Sequence, residues 1–267
     1  MVLRDSNFIT KDTVLYVSLA ERPGNTGTIW FNKMFTQKNI NAIYKAFQVD
    51  RGDFDKAFDG VKSLKVGGGA ISMPFKKRAY EMVDEVQGVA KKIGTINTFK
   101  REPSGKLTGF NTDYRAALSA IPEKTNSVAL LGAGGVAAAV ALAAQDRGVS
   151  NLRVFSRERT RSLIPNSVNY EWIFWERLSQ VEAPEIVINC TSLGMDTSSE
   201  LSLPESWWRR MELAIDLTFR PEGNFFYRIA RERSISFIDG KQMARWQALE
   251  QFKIYTGIEI LETEAGY

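Results

Sequence analysis

The chain has 267 residues, 44% hydrophobic and 25% charged, with 35 basic residues against 31 acidic ones and a net charge of +4. That is a globular balance on a length sufficient for two domains, and no basic block, membrane-length apolar run or N-terminal apolar core points to nucleic acid, bilayer or secretion. One cysteine, Cys190, and no histidine exclude an internal disulfide, Ser-His or Cys-His catalysis and the usual zinc sites; a reducing cytoplasm is expected, and acid–base work falls to Lys, Asp, Glu, Tyr or water.

In chain order, Thr13–Leu19 reads as the first strand, Glu21–Gly27 as a turn-rich loop, and Thr28–Lys38 as a helix with Ile29, Trp30, Phe31, Met34 and Phe35 at helical spacing. Ala42–Phe47 is a second strand. Asp53 is placed to cap a helix running from Phe54 to about Leu64. Ala70–Met73 is a short strand stopped by Pro74, Lys77–Val83 a helix, and Thr95–Lys100 and Leu107–Phe110 are strands separated by the Ser104–Gly105 turn. Alternating strands and helices predict an α/β domain with a mainly parallel sheet. A helix over Asn111–Ile121 then opens a second domain. Its strands are expected at Val128–Leu131, Leu152–Phe155, Val168–Tyr170, Ile186–Asn189, Leu213–Asp216 and Ser236–Ile238, with a helix at Asn224–Arg233. The last helix, Lys241–Thr256, carries Trp246, Leu249, Phe252 and Tyr255 as an apolar stripe able to fold back on the first domain.

The stretch Ser127–Ala144, SVALLGAGGVAAAVALAA, organises this second half. An apolar run buried on both faces, a turn of Gly132, Ala133, Gly134 and Gly135, and a small-residue helix place backbone N–H groups and a positive helix end against a phosphate. Where an NAD site has a carboxylate about 20 residues further on, this chain has Ser156 and Arg157, with Arg159 and Arg161 alternating behind them. A guanidinium clamps a 2′-phosphate that a carboxylate repels, which favours NADP; Glu158 stands inside the cluster.

Six motifs occur in register: Ser72-Met73-Pro74-Phe75-Lys76, Thr95-Ile96-Asn97-Thr98, Asn111-Thr112-Asp113, Gly132-Ala133-Gly134-Gly135, Asn189-Cys190-Thr191-Ser192-Leu193-Gly194-Met195, and Asp239-Gly240 with Met243 and Gln247. Together, over nearly the whole chain, they resemble the shikimate dehydrogenases. The resemblance implies a substrate-binding and catalytic domain over residues 1–110 plus 240–267 and an NADP-binding Rossmann domain over 111–239. It also implies reversible reduction of the 3-dehydroshikimate ketone, with Lys76 and Asp113 as the catalytic pair. Asn97 and Gln247 match the family's substrate amides, and Ser72 stands where threonine is usual. Ser156, Arg157, Arg161, Thr191, Met195 and Gly240 join the glycine turn around the cofactor. A buried, inert thiol is expected at Cys190.

Two departures bear on the substrate. The family's Ser-x-Ser element, whose hydroxyls hold the substrate carboxylate, is here Asn25-Thr26-Gly27. Gly27 offers no donor and is a candidate for left-handed backbone; Asn25, Thr26, Thr28 or backbone amides remain to compensate. Phe219 replaces a common tyrosine. The pattern resembles the shikimate-dehydrogenase-like branch and predicts weak activity on shikimate. Quinate or another polyol acid as substrate, and a non-catalytic NADP-binding sensor, stay open as alternatives. A metal-free cytoplasmic monomer or homodimer is expected, with a small-molecule substrate as partner.

Overall fold

The computed structural model describes residues 9–158, 163–194, 201–218 and 224–265; Arg159, Arg161, Met195 and Phe219 lie outside the described residues. The chain divides into two units, one formed by the residues up to Thr112 together with those from Gln247 onward, the other by Asp113–Trp246. Among the described residues no helix is long and apolar enough to cross a membrane.

In the first unit β1 (Val14–Ala20), α1 (Thr26–Gln37) and β2 (Ala42–Gln48) make a parallel strand–helix–strand unit. α2 (Phe54–Ser63) leads to β3 (Gly68–Ile71), parallel to β1 on its other side. After α3 (Lys76–Met82), the two-residue strand β4 (Glu85–Val86) and α4 (Ala90–Ile93), β5 (Thr98–Arg101) and β6 (Leu107–Phe110) complete the sheet in the order β2-β1-β3-β5-β6-β4. The sheet is mainly parallel, as expected, with β5 reversed: it is antiparallel to both β3 and β6. The link from β5 to β6 is a tight turn with Gly105 at φ +87, and a turn that short joins only antiparallel strands.

Period-two alternation gives this sheet two apolar faces. Val17, Leu19 and Ile71 face Phe54, Phe58 and Val61 of α2 and Phe75 and Ala79 beside α3. On the opposite face Tyr16 and Tyr44, paired in register, lie under Phe31, Met34 and Phe35 of α1 and under Ala248, Phe252 and Tyr255 of the C-terminal helix. That helix does return to the first unit from Gln247 onward, with Leu249, Phe252 and Tyr255 of the expected stripe in this cluster. Positions three apart lag by about 60° per step, so Trp246 at the start of the stripe faces the opposite side from Tyr255, and Ala248 is buried beside Phe252 and Tyr255. Asn32 fastens α1 to β2, donating to the Tyr44 carbonyl and accepting from its N–H, both at 2.9 Å. Two local expectations are corrected. Asp53 precedes α2, but its carboxylate takes Lys56 Nζ at 2.9 Å instead of capping the helix. Gly27 is helical, inside the first turn of α1, and is not left-handed.

The second unit opens with α5 (Asp113–Ala120) and β7 (Ser127–Leu131), every residue of which is buried. α6 (Gly135–Asp146), β8 (Asn151–Ser156), β9 (Glu171–Phe174), β10 (Ile186–Asn189), α7 (Glu205–Trp208), β11 (Leu213–Asp216), α8 (Phe225–Glu232), β12 (Ser236–Ile238) and α9 (Gly240–Thr256) follow. The strands are parallel, in the order β12-β11-β10-β7-β8-β9. Val168–Tyr170 is not a strand: the Val168 N–H turns back to the Pro165 carbonyl, the Asn169 N–H goes to Gln145 Oε1, and pairing with β8 begins only at Glu171. Ala137–Ala144 of α6 are all buried, since side chains this small let the helix sit close to the sheet. The core gathers Phe155, Trp207, Trp208 and Phe226.

Candidate functional site

β7 is the first strand of its sheet, and its successors lie on opposite sides of it, β8 on one and β10 on the other. A crevice forms outside the carboxyl ends of strands at such a switch point. Here it is a cavity of about 550 Å³, with Gly132, Ala133 and Gly134 after β7, Phe155–Glu158 at the end of β8, and Thr191–Leu193 after β10 on its walls. Gly132 sits at φ +99, a conformation that favours glycine, and a Cβ there would lie a tight 3.1 Å from Thr191 Cγ2. Gly134 caps α6 with no side chain, and the first turn of α6 holds no acidic residue. Its N–H groups and positive helix end are therefore available to an anion. Gly135 and Gly240 are not on the described cavity wall. Gly240 has a packing reason instead: a Cβ would meet the Thr218 carbonyl oxygen at 2.2 Å.

Ser156 and Arg157 line the cavity as the sequence places them, and Glu158 stands with them. The Ser156 hydroxyl accepts from the Trp172 indole at 2.8 Å and donates to the Glu158 carbonyl at 3.1 Å. Trp175 lines the same cavity and was not identified from the sequence. In the sequence it is one aromatic in Trp172-Ile173-Phe174-Trp175; it directly follows β9 and begins the 3-10 helix Trp175–Gln180 at the strand's carboxyl end.

The loop after β10 is shaped by two buried polar side chains. Asn189 Oδ1 accepts from the Thr191 N–H at 3.0 Å and its hydroxyl at 2.7 Å, while Nδ2 donates to the Leu193 carbonyl and to Asp216 Oδ1, each at 3.0 Å. Asp216 also accepts from the Thr218 N–H at 2.9 Å and from Asn224 Nδ2 at 2.6 Å. Burial raises its pKa, and these donors oppose the rise. Thr191 is thus fixed against the glycine turn. Between them, the thiol of half-buried Cys190 is pushed well above its ordinary value, first by burial and then by the carboxylates of Asp113 and Asp216. Iodoacetamide at neutral pH should accordingly label the folded protein at least about tenfold more slowly than the unfolded chain, since one pKa unit is a tenfold loss of thiolate. Equal rates in the two states would contradict an inert thiol.

In the first unit, register brings the expected substrate residues to one edge of the sheet. The Ser72 N–H bonds the Leu19 carbonyl at 3.0 Å, the Ile71 N–H the Asn97 carbonyl at 2.8 Å, and the Asn97 N–H the Phe110 carbonyl at 3.0 Å. The carboxyl ends of β1, β3 and β6 and the amino end of β5 therefore meet there. Asn25 precedes α1 at that edge, exposed and with no side-chain capping bond. Ser72 is exposed, and Lys76, half-buried, is the first residue of α3. Asn97 is buried: its Oδ1 accepts from the Thr112 N–H and the Thr98 hydroxyl, both at 2.8 Å, and its Nδ2 donates to Thr112 Oγ1 at 3.0 Å. Gln247 lies half-buried on the part of α9 belonging to this unit. Asp113 opens α5 in the second unit and is 1% exposed. Arg161 and Met195 fall outside the described residues.

The model of the shikimate dehydrogenase substrate binding domain matches residues 27–99. The chain is similar to the shikimate dehydrogenase-like protein of Haemophilus influenzae, 34% identical over 256 residues that cover 93% of this chain and 92% of that one. It is also similar to the shikimate dehydrogenase (NADP(+)) of Aquifex aeolicus, 31% identical over 244 residues, 87% of each chain. Among solved structures, a shikimate 5-dehydrogenase-like protein matches with a TM-score of 0.85 and 32% identity over 97% of each chain.

Proposed function

The chain belongs to the shikimate dehydrogenase family, and we propose that it is an NADP-dependent oxidoreductase interconverting the ring hydroxyl and ketone of shikimate or a related cyclic hydroxy acid. The observation that carries this reading is the cavity at the switch point of the second unit, with a glycine turn, an acid-free helix start and Arg157 on its wall. These residues fit a dinucleotide phosphate in size, charge and donor geometry. When bound, NADP supplies or accepts the hydride; binding, orientation and the proton belong to the chain.

In this reading residues 111–239 hold the cofactor. The N–H groups of Gly132–Gly135 take the pyrophosphate, and Ser156, Arg157 and Arg161 take the 2′-phosphate. Thr191 lines the same cavity, the family resemblance adds Met195 and Gly240 as cofactor residues, and Trp175 offers a flat apolar wall for the adenine. Residues 1–110 and 240–267 hold the substrate, with Asn25, Ser72, Asn97 and Gln247 meeting its carboxylate and hydroxyls. Lys76 gives a proton to the developing alkoxide, or takes it back in oxidation, and Asp113 shares that proton. Incubation with NADP and shikimate, quinate or buffer tests this through the near-ultraviolet absorbance of the reduced nicotinamide. A rise with shikimate is expected. No rise with either acid, alongside intact NADP binding, would favour the sensor reading.

Cofactor choice gives a separate prediction. Arg157→Ala should lower the preference for NADP over NAD by about tenfold or more, because a charge-assisted bond of about 1.5–3 kcal/mol is lost to NADP alone. Fluorescence titration with both dinucleotides measures it. Equal weakening of the two would remove Arg157 from the 2′-phosphate.

A further inference from the structure

One buried polar side chain of the first unit has no part in this scheme. Gln251 is 7% exposed and stands between Ala248 and the wholly buried Phe252, on the face of α9 that packs into the core. A leucine would fill the space, whereas burying an amide is unfavourable unless its hydrogen bonds are made. Gln251 Nε2 donates to Thr98 Oγ1 at 3.0 Å. Thr98, with no exposed surface, passes its own proton to Asn97 Oδ1 at 2.8 Å.

The polarity of this chain is determined by its far end. The Thr112 backbone N–H faces the Asn97 amide at 2.8 Å. A backbone N–H only donates, so the atom it meets is the oxygen, and the amide has one orientation. A hydroxyl has a single proton. Once Thr98 gives that proton to Asn97, only its lone pairs remain for Gln251, and the amide N–H of Gln251 is the group that satisfies one of them. Without that donor, the Thr98 hydroxyl is no longer held in the rotamer that serves Asn97.

We infer that Gln251 is a positioning residue for Asn97: the relay Gln251 N–H to Thr98 O–H to Asn97 C=O, acting beside the Thr112 N–H on the same oxygen, fixes the rotamer of the side chain read as meeting the substrate. This rests on the reading of Asn97 as a substrate-binding residue. Gln247 lies one helical turn before Gln251 on the same face, so a single helix both offers an amide of its own and orients another.

The test is steady-state kinetics with NADP and shikimate on the parent, Gln251→Met, Thr98→Val, their double variant and Asn97→Ala, with NADP affinity and melting temperature measured on each. Methionine keeps the length without the donor, and valine keeps the shape of threonine without the hydroxyl. Gln251→Met and Thr98→Val should each raise KM by about tenfold with kcat near the parent value, as expected for loss of one hydrogen-bonded link of about 1.4 kcal/mol. The double variant should be no worse than Thr98→Val alone, because both changes break one relay. A merely structural role predicts multiplying losses, or a fall in melting temperature and NADP affinity without a selective rise in KM. If Gln251→Met does not fold, Thr98→Val alone decides: a parent KM there overturns the relay. A raised KM in Asn97→Ala with a parent KM in Gln251→Met overturns the role of Gln251 and leaves Asn97 in place. A parent KM in Asn97→Ala, or a parent enzyme with no turnover, removes the reading beneath it and the inference with it.

Discussion

Lys76→Ala should lower kcat for the best hydroxy-acid substrate by about 10²–10⁴-fold, the usual contribution of a general acid–base group, while NADP affinity stays at the parent value. The separation follows from the fold. Lys76 begins α3 in the first unit, whereas the glycine turn and Arg157 line a cavity of the second. Turnover and a fluorescence titration with NADP, made on the same preparation, measure both halves of the expectation. Near-parent kcat in the alanine variant would refute the proton-transfer role. Asp113→Asn should act in the same direction; since Asp113 is 1% exposed, asparagine is chosen to keep its shape, and an unchanged melting temperature is needed before the loss is assigned to chemistry.

The second large effect is expected at the start of α1. If two serine hydroxyls hold the carboxylate elsewhere in the family, Asn25 and Gly27 leave that group poorly held. Each bond to a charged group contributes about 1.5–3 kcal/mol, so the pair corresponds to roughly two to four powers of ten in kcat/KM. The parent enzyme should therefore oxidise shikimate weakly with a high KM, and Asn25→Ser with Gly27→Ser should recover much of the loss through KM. The backbone accepts both changes. Gly27 is helical, and a Cβ there meets only Tyr44 Cε1, at 3.8 Å, an ordinary contact. Asn25 makes no side-chain capping bond that serine would forfeit, and serine is itself a favoured residue at that position. Kinetics of parent and double variant, with circular dichroism for folding, decide the matter. A parent KM already in the low micromolar range would mean that another group holds the carboxylate.

Much of this was legible in the sequence because burial on both faces leaves a strong local signature. Val128–Leu131, Ile186–Ile188 and Leu213–Ile215 are continuous apolar runs, and all three lie in strands. The glycine turn was legible for the same reason: Gly132 follows a buried strand directly and precedes a small-residue helix. What escaped depends on register or on distant partners. The strand β4 has two residues, too few for any periodicity, and exists through its pairing with β6. Val168–Tyr170 has strand composition, but a turn and the Gln145 amide claim its backbone. Gln251 lies 153 positions from the hydroxyl it serves, and Trp175 reaches the cavity because β9 ends one residue before it. No local pattern announces either.

α9 belongs to the first unit only from Gln247 onward, yet it supplies Ala248, Phe252 and Tyr255 to one of that unit's two apolar faces. During synthesis the ribosome releases Tyr16, Phe31 and Tyr44 long before it reaches Phe252. At about 5–20 residues per second, those rings wait on the order of ten seconds for the helix that covers them. The second unit, contiguous from Asp113 to Trp246, needs no such delay. The apolar face of the first-made half therefore stays uncovered until the last turns of α9 are made.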